Sequence, residues 1–100
     1  SSVTRAYEIA QIYRNKGIAT VLGGIHASMM PGEAMGLVDS VVIGEVESVW
    51  QTLINDFEKG ELKKSYTGTL LSMENAVKPR RDLFHKDYNF ASVQTTRGCP

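Results

Sequence analysis

Apolar positions recur at three- and four-residue spacing from the start of the chain. Val3, Ala6, Tyr7, Ile9, Ala10, Ile12 and Tyr13 form one stripe, with Arg5, Glu8, Gln11 and Arg14 between them. This predicts a helix over residues 2–16, stopped by Gly17. The stripe is wide, so the helix expects a large partner such as a sheet. The period then changes. Ile18 to Leu22 is a continuous apolar run ending in Gly23-Gly24. Such a run predicts a strand buried on both faces, as in parallel sheets. Pro31 suits a first helical position and Glu33 suits the positive end of that helix, which is expected to run to about Leu37. Ser40 to Ile43 is a second buried run, closed by Gly44-Glu45. Val46, Val49, Trp50, Leu53, Ile54 and Phe57 then give an amphipathic helix ending near Gly60.

The order helix, strand, helix, strand, helix predicts an α/β fold with right-handed crossovers and a parallel sheet. Beyond Gly60 the period fades. Leu62 to Tyr66 suits an edge strand, Thr67 to Lys78 has no sustained pattern, and Phe90 to Thr95 alternates loosely enough for one strand. Trp50 and the methionines Met29, Met30, Met35 and Met73 are expected to pack against the sheet. Two confident strands do not hide three apolar helix faces. The expectation is a chain cut from a longer protein, or one that pairs with a second copy.

Composition narrows the function. The 100 residues carry 11 basic and 11 acidic side chains. The net charge of zero argues against a nucleic-acid-binding or polybasic membrane module. Charge is unevenly placed, however. Gly32 to Glu61 holds seven acids and one base, whereas Lys78 to Arg97 holds five bases and two acids. An acidic compact unit followed by a basic connector fits this division, and Arg80 and Arg81 are expected to pair with the compact unit. No apolar run is long enough for a membrane span. The single cysteine, Cys99, excludes an internal disulfide and suits a reducing, cytoplasmic setting.

The chemistry gathers at the carboxyl ends of the two strands, where open α/β sheets bind ligands. Gly23 and Gly24 leave the backbone open to a flat or phosphate-bearing group. His26 follows them. Taken alone, Gly-Gly is a turn and His26 a hydrogen-bonded loop residue. No nucleophile–base pair stands at a convincing spacing.

The combination is more specific. Leu22-Gly23-Gly24-Ile25-His26, Pro31, Asp39-Ser40-Val41-Val42-Ile43-Gly44-Glu45 and Trp50 resemble the carboxyl-terminal half of the cobalamin-binding domain found ahead of radical S-adenosylmethionine cores. Tyr7-Glu8-Ile9-Ala10 fits the preceding helix. Pro79-Arg80-Arg81-Asp82-Leu83-Phe84 with Tyr88, and Gln94-Thr95-Thr96-Arg97-Gly98-Cys99-Pro100, continue the resemblance. It implies a truncated Rossmann- or flavodoxin-like half-domain over residues 1–66 and a linker over 67–89. Residues 90–100 would be the first strand of the radical core. It also implies that Gly23, Gly24, His26, Gly44 and Glu45 contact cobalamin. Cys99 would be the first of three cysteines, spaced C-x-x-x-C-x-x-C, that hold a [4Fe–4S] cluster. The implied parent binds cobalamin, the cluster and S-adenosylmethionine, and carries out radical methyl transfer or related C–H chemistry. The other two cysteines and a D-x-H-x-x-G motif are not in this chain. Residues 1–100 alone are therefore expected to be inactive and to bind none of these cofactors. The remainder of the parent polypeptide is the expected partner. The alternative is a cofactor-free flavodoxin-like interaction module.

Overall fold

A computed structural model describes residues 2–97. Contacts divide the chain into two compact units, Ser1–Thr69 and Leu70–Pro100. The first unit contains α1 (Ser2–Asn15), β1 (Val21–Leu22), α2 (Ile25–Met29), α3 (Pro31–Ala34), β2 (Ser40–Ile43), α4 (Trp50–Glu58) and β3 (Ser65–Thr67). A 3₁₀ turn, Val46–Ser48, leads into α4. The three strands form one parallel sheet in the order β1-β2-β3. The α/β reading is therefore what the chain adopts, with the expected edge strand at Ser65–Thr67 in place of Leu62 to Tyr66.

β2 is the centre of the unit. Val41 and Val42 are both fully buried, because successive strand residues point to opposite faces and each face is covered. On one face Val41 packs with Ala10 of α1, Ala27 of α2, Ala34 of α3 and Val38. On the other, Val42 packs with Leu53 of α4 and Tyr66 of β3. The small alanines let three helices approach the first face closely. The sheet thus advances in one direction while its two connections cross opposite faces. Those connections are consequently of opposite hand, and the expectation of right-handed crossovers throughout does not hold.

Short polar ties fix the ends of the sheet. At the amino end, the Asp39 carboxylate accepts from the Thr20 N–H at 2.8 Å and its hydroxyl at 2.9 Å. Arg14 Nε approaches the same carboxylate at 3.3 Å. Burial pushes the Asp39 pKa upward, but the Thr20 donors and the Arg14 charge outweigh it and hold the carboxyl below its usual value. Beside β3, the Tyr66 hydroxyl donates to Asp56 at 2.8 Å and accepts from the Lys63 N–H at 3.0 Å. Burial of the phenol raises its pKa, the Lys63 bond opposes that, and the Asp56 carboxylate adds to it.

Several sequence expectations need correction. β1 has two paired residues instead of five, and Val21 is 41% exposed. β2 covers only one edge of it, and a strand ladder forms only where a neighbour supplies the other half. The Pro31 helix stops at Ala34, before Leu37, and the turn that follows carries the chain into β2. An additional helix, α2, fills the interval between Gly24 and Met30. Trp50 is 50% exposed because it starts α4 on the flank beside β1, and Met29 and Met30 are exposed as well. Residues 90–97 carry no strand, since no strand among the described residues forms a ladder with them. The second unit consists of irregular chain with two 3₁₀ turns, Met73–Asn75 and Arg81–Leu83. No helix among the described residues is long and apolar enough to cross a membrane.

Candidate functional site

A parallel sheet points all its carboxyl ends the same way. β1 ends at Gly23-Gly24, β2 at Gly44-Glu45 and β3 at Gly68, so these loops meet at one end of the sheet. Hydrogen bonds join them. The Gly68 N–H donates to the Ile43 carbonyl at 2.7 Å. The Gly44 N–H donates to the Ser28 hydroxyl at 2.9 Å, tying the β2 loop to α2. Ser48 completes the rim: its hydroxyl donates to the Glu45 carbonyl at 3.1 Å and accepts from the Thr69 N–H at 2.9 Å.

The glycines here have two different jobs. Gly44 has φ +79°, and a Cβ on it would meet the Gly68 carbonyl oxygen at 2.7 Å. A Cβ on Gly68 would fall on the Glu45 carbonyl. These two glycines let the β2 and β3 loops interlock backbone to backbone. Gly24 has φ +103° and nothing within 4 Å of where its Cβ would be. It permits a backbone turn that L-residues resist, and it opens onto free space. The rim is therefore closed between β2 and β3 and accessible above Gly24.

Gly24 is also the N-cap of α2, which presents His26 in its first turn. His26 is accordingly a helix residue and not the loop residue the sequence suggested. Its Nε2 lies 3.4 Å from the Glu33 Oε1 of α3. Its ring also meets Tyr7 of α1 edge-on, with centroids 6.3 Å apart. Burial of the Tyr7 hydroxyl, with the Glu33 carboxylate beside it, raises the Tyr7 pKa. His26, Glu33 and Tyr7 thus form one polar–aromatic cluster drawn from three helices.

Of the residues singled out in the sequence, Gly23, Gly24, His26, Gly44 and Glu45 are brought to one end of the sheet. Ser28, Ser48 and Gly68 were missed, although they supply the hydroxyls and the close approach that join the loops. Ser28 follows His26 by two residues, and Gly68 directly follows β3 as Gly44 directly follows β2; that positional parallel was the available signal. Arg80 and Arg81 find partners within their own unit. Arg80 pairs with Asp82 at 2.6 Å, and Arg81 Nη2 donates to the Ser92 carbonyl at 2.8 Å. Both bonds lie within the second unit. Cys99 lies outside the described residues. Among the described residues, no three His, Cys, Asp or Glu side chains gather where they could hold a metal.

No family model matches the chain, and no solved structure matches it. Curated proteins do. The bacteriochlorophyllide d C-8(2)-methyltransferase of Chlorobaculum tepidum is 35% identical over 106 residues, covering 97% of this chain and 24% of that protein. The bacteriochlorophyllide d C-12(1)-methyltransferase of the same organism is 31% identical over 108 residues, covering 95% of this chain and 22% of that protein. An uncharacterised methyltransferase of Pyrococcus horikoshii is 28% identical over 127 residues, covering the whole chain and 28% of that protein. The chain spans about a quarter of the length of these relatives. Its homologues are methyltransferases, and its sheet, with the glycine-lined end, corresponds to one segment within them.

Proposed function

We propose that this chain is the cofactor-facing part of a methyltransferase of the cobalamin-binding radical S-adenosylmethionine type. In this reading residues 1–66 are the carboxyl-terminal half of the cobalamin domain. Residues 67–89 are a connector, and residues 90–100 lead into the radical core. The rest of that polypeptide is the partner. The observation that carries the reading is the gathering of Gly23, Gly24, His26, Gly44 and Glu45 at one sheet end, in a chain homologous to methyltransferases.

The site's geometry suits a flat ligand approaching the Gly24 backbone. Beyond its chain neighbours, nothing lies within 4 Å of where a Gly24 Cβ would be. His26 offers a polar ring held by Glu33 and Tyr7. The interlocked Gly44 and Gly68 loops give a rigid floor, and rigidity limits the ordering cost of binding. Gly23 and Gly24 would hold the nucleotide tail, with His26, Gly44 and Glu45 beside it. Bound cobalamin would supply a transferable methyl group. This chain's own residues would bind and orient it. Cys99 would be the first of three thiolates that hold a [4Fe–4S] cluster in the same polypeptide, leaving one iron for S-adenosylmethionine.

The test is hydroxocobalamin titration of the protein at the full length of its relatives, followed by visible absorbance. Stoichiometric binding is expected, and Gly24→Val should weaken it about tenfold or more, because a branched side chain would enter the open space and resist φ +103°. Stoichiometric binding unaffected by Gly24→Val would remove these residues from the site. No binding at all would favour the cofactor-free interaction module.

A further inference from the structure

His26 stands at the open end of the sheet, and its two ring nitrogens have different surroundings. Nε2 lies 3.4 Å from Glu33 Oε1 of α3. Nδ1 makes no hydrogen bond with any described residue, and the side chain is 41% exposed. A neutral imidazole has one N–H and one lone pair, whereas a carboxylate only accepts. The proton therefore sits on Nε2, toward Glu33, and Nδ1 keeps its lone pair. Both partners are held in place. The Glu33 N–H donates to the Met30 carbonyl at 3.2 Å in the first turn of α3. Tyr7 of α1 meets the imidazole edge-on, with ring centroids 6.3 Å apart. Three backbone donors on the rim are already spent. The Gly44 N–H goes to the Ser28 hydroxyl, the Gly68 N–H to the Ile43 carbonyl and the Thr69 N–H to the Ser48 hydroxyl. An anion beside His26 would meet a lone pair at Nδ1 and find these three N–H groups engaged.

We infer that Glu33 is a positioning residue that fixes the His26 proton on Nε2, so that Nδ1 accepts a hydrogen bond from a ligand hydroxyl or primary amide. That ligand rests on the cobalamin reading above; the tautomer rests on the Glu33–His26 geometry alone. Cobalamin offers both kinds of donor, in its ribose hydroxyls and its side-chain carboxamides, and it also carries a phosphate. His26 selects a donor among these groups and disfavours the phosphate, because a lone pair backed by a carboxylate repels an anion. Glu33 thus acts through His26, by setting which ring nitrogen meets the ligand and in which protonation state.

Two measurements test it, and the first needs no ligand. Long-range proton–nitrogen spectra of the chain, labelled with heavy nitrogen at its two histidines, read the position of the ring proton. They are recorded in mild alkali, where imidazole is neutral, and His26→Asn identifies the His26 signals. The parent should show the Nε2–H form alone, and Glu33→Ala a mixture of both forms. A proton on Nδ1 in the parent, or the same spectrum with and without Glu33, overturns the positioning role. The second measurement is hydroxocobalamin titration of the protein at the full length of its relatives. His26→Asn keeps an acceptor oxygen where Nδ1 stood and should weaken binding about threefold or less, whereas His26→Lys, a donor only, should weaken it about tenfold or more. Glu33→Ala should weaken binding in the parent and have no effect on top of His26→Asn. Binding by His26→Lys as tight as the parent's would mean that His26 faces the phosphate, and overturns the donor assignment. An equal loss from Glu33→Ala in both backgrounds also overturns it, since a purely structural residue behaves that way. A parent that binds no cobalamin removes the cofactor reading and the assigned ligand with it, while the spectra still decide the tautomer.

Discussion

The two sides of β2 teach opposite lessons from the same kind of sequence. On the β3 side the packing and polar ties are close. Tyr66 is buried and bonded to Asp56 and Lys63, Leu53 is buried beneath Val42, and the Gly44 and Gly68 loops interlock. On the β1 side the apolar run Ile18 to Leu22 reads as equally buried, yet Ile18 and Val21 stay 49% and 41% exposed. Hydrophobic pattern reports what a segment can bury. Whether it does so depends on a neighbour, and among the described residues β1 has a strand neighbour only on its β2 side.

That contrast can be broken most severely at Gly68. Gly68→Ala places a methyl on the Glu45 carbonyl and should cost about 4 kcal/mol or more in urea unfolding, a size reserved for steric conflict of this kind. Leu53→Ala should cost about 3 kcal/mol by the same measurement, against about 0.5 kcal/mol for Ile18→Ala at the half-exposed edge. Equal losses at Leu53 and Ile18 would erase the distinction between the two sides.

Tyr66→Phe should lower stability by less than the Leu53 change and flatten the alkaline limb. The Tyr66 pKa is raised in the folded state, so its contribution is complete below the ordinary tyrosine value and is lost as pH rises through the folded one. An alkaline unfolding curve that is the same for Tyr66→Phe and the parent would contradict this. The smallest effect belongs to Asp39, on the β1 side. Its pKa is depressed, so its contribution is present above the usual aspartate value and fades as pH falls through the folded one. Asp39→Asn should therefore lose stability at neutral pH but show a shallower acid limb, measured by thermal unfolding between neutral pH and mild acid.

Much of the fold was legible because its signals are local. The stripe of α1, the buried run of β2 and Pro31 at the start of α3 each depend on residues a few positions apart. α2 was not legible, since five residues are too few to display a helical period. The short extent of β1 was hidden for a different reason: pairing is a property of two segments, and apolar content belongs to one. In the site, Gly24 and Gly44 stood out by their place after buried runs. Ser28 and Ser48 did not, because a hydroxyl that bridges loops looks like any surface serine until the loops meet.

By itself the sequence determined the α/β alternation, the buried centre at Val41 and Val42 and the candidate residues at the strand ends, because periodicity and strand-end chemistry are written along the chain. The tertiary structure alone decided three other things. It placed α4 on the face opposite α1, α2 and α3, fused the Gly44 and Gly68 loops, and left Ile18, Val21 and Trp50 flanking an open edge. Each depends on which surfaces meet across the sheet, and contact between distant segments is fixed by packing and by hydrogen-bond partners rather than by the order of residues.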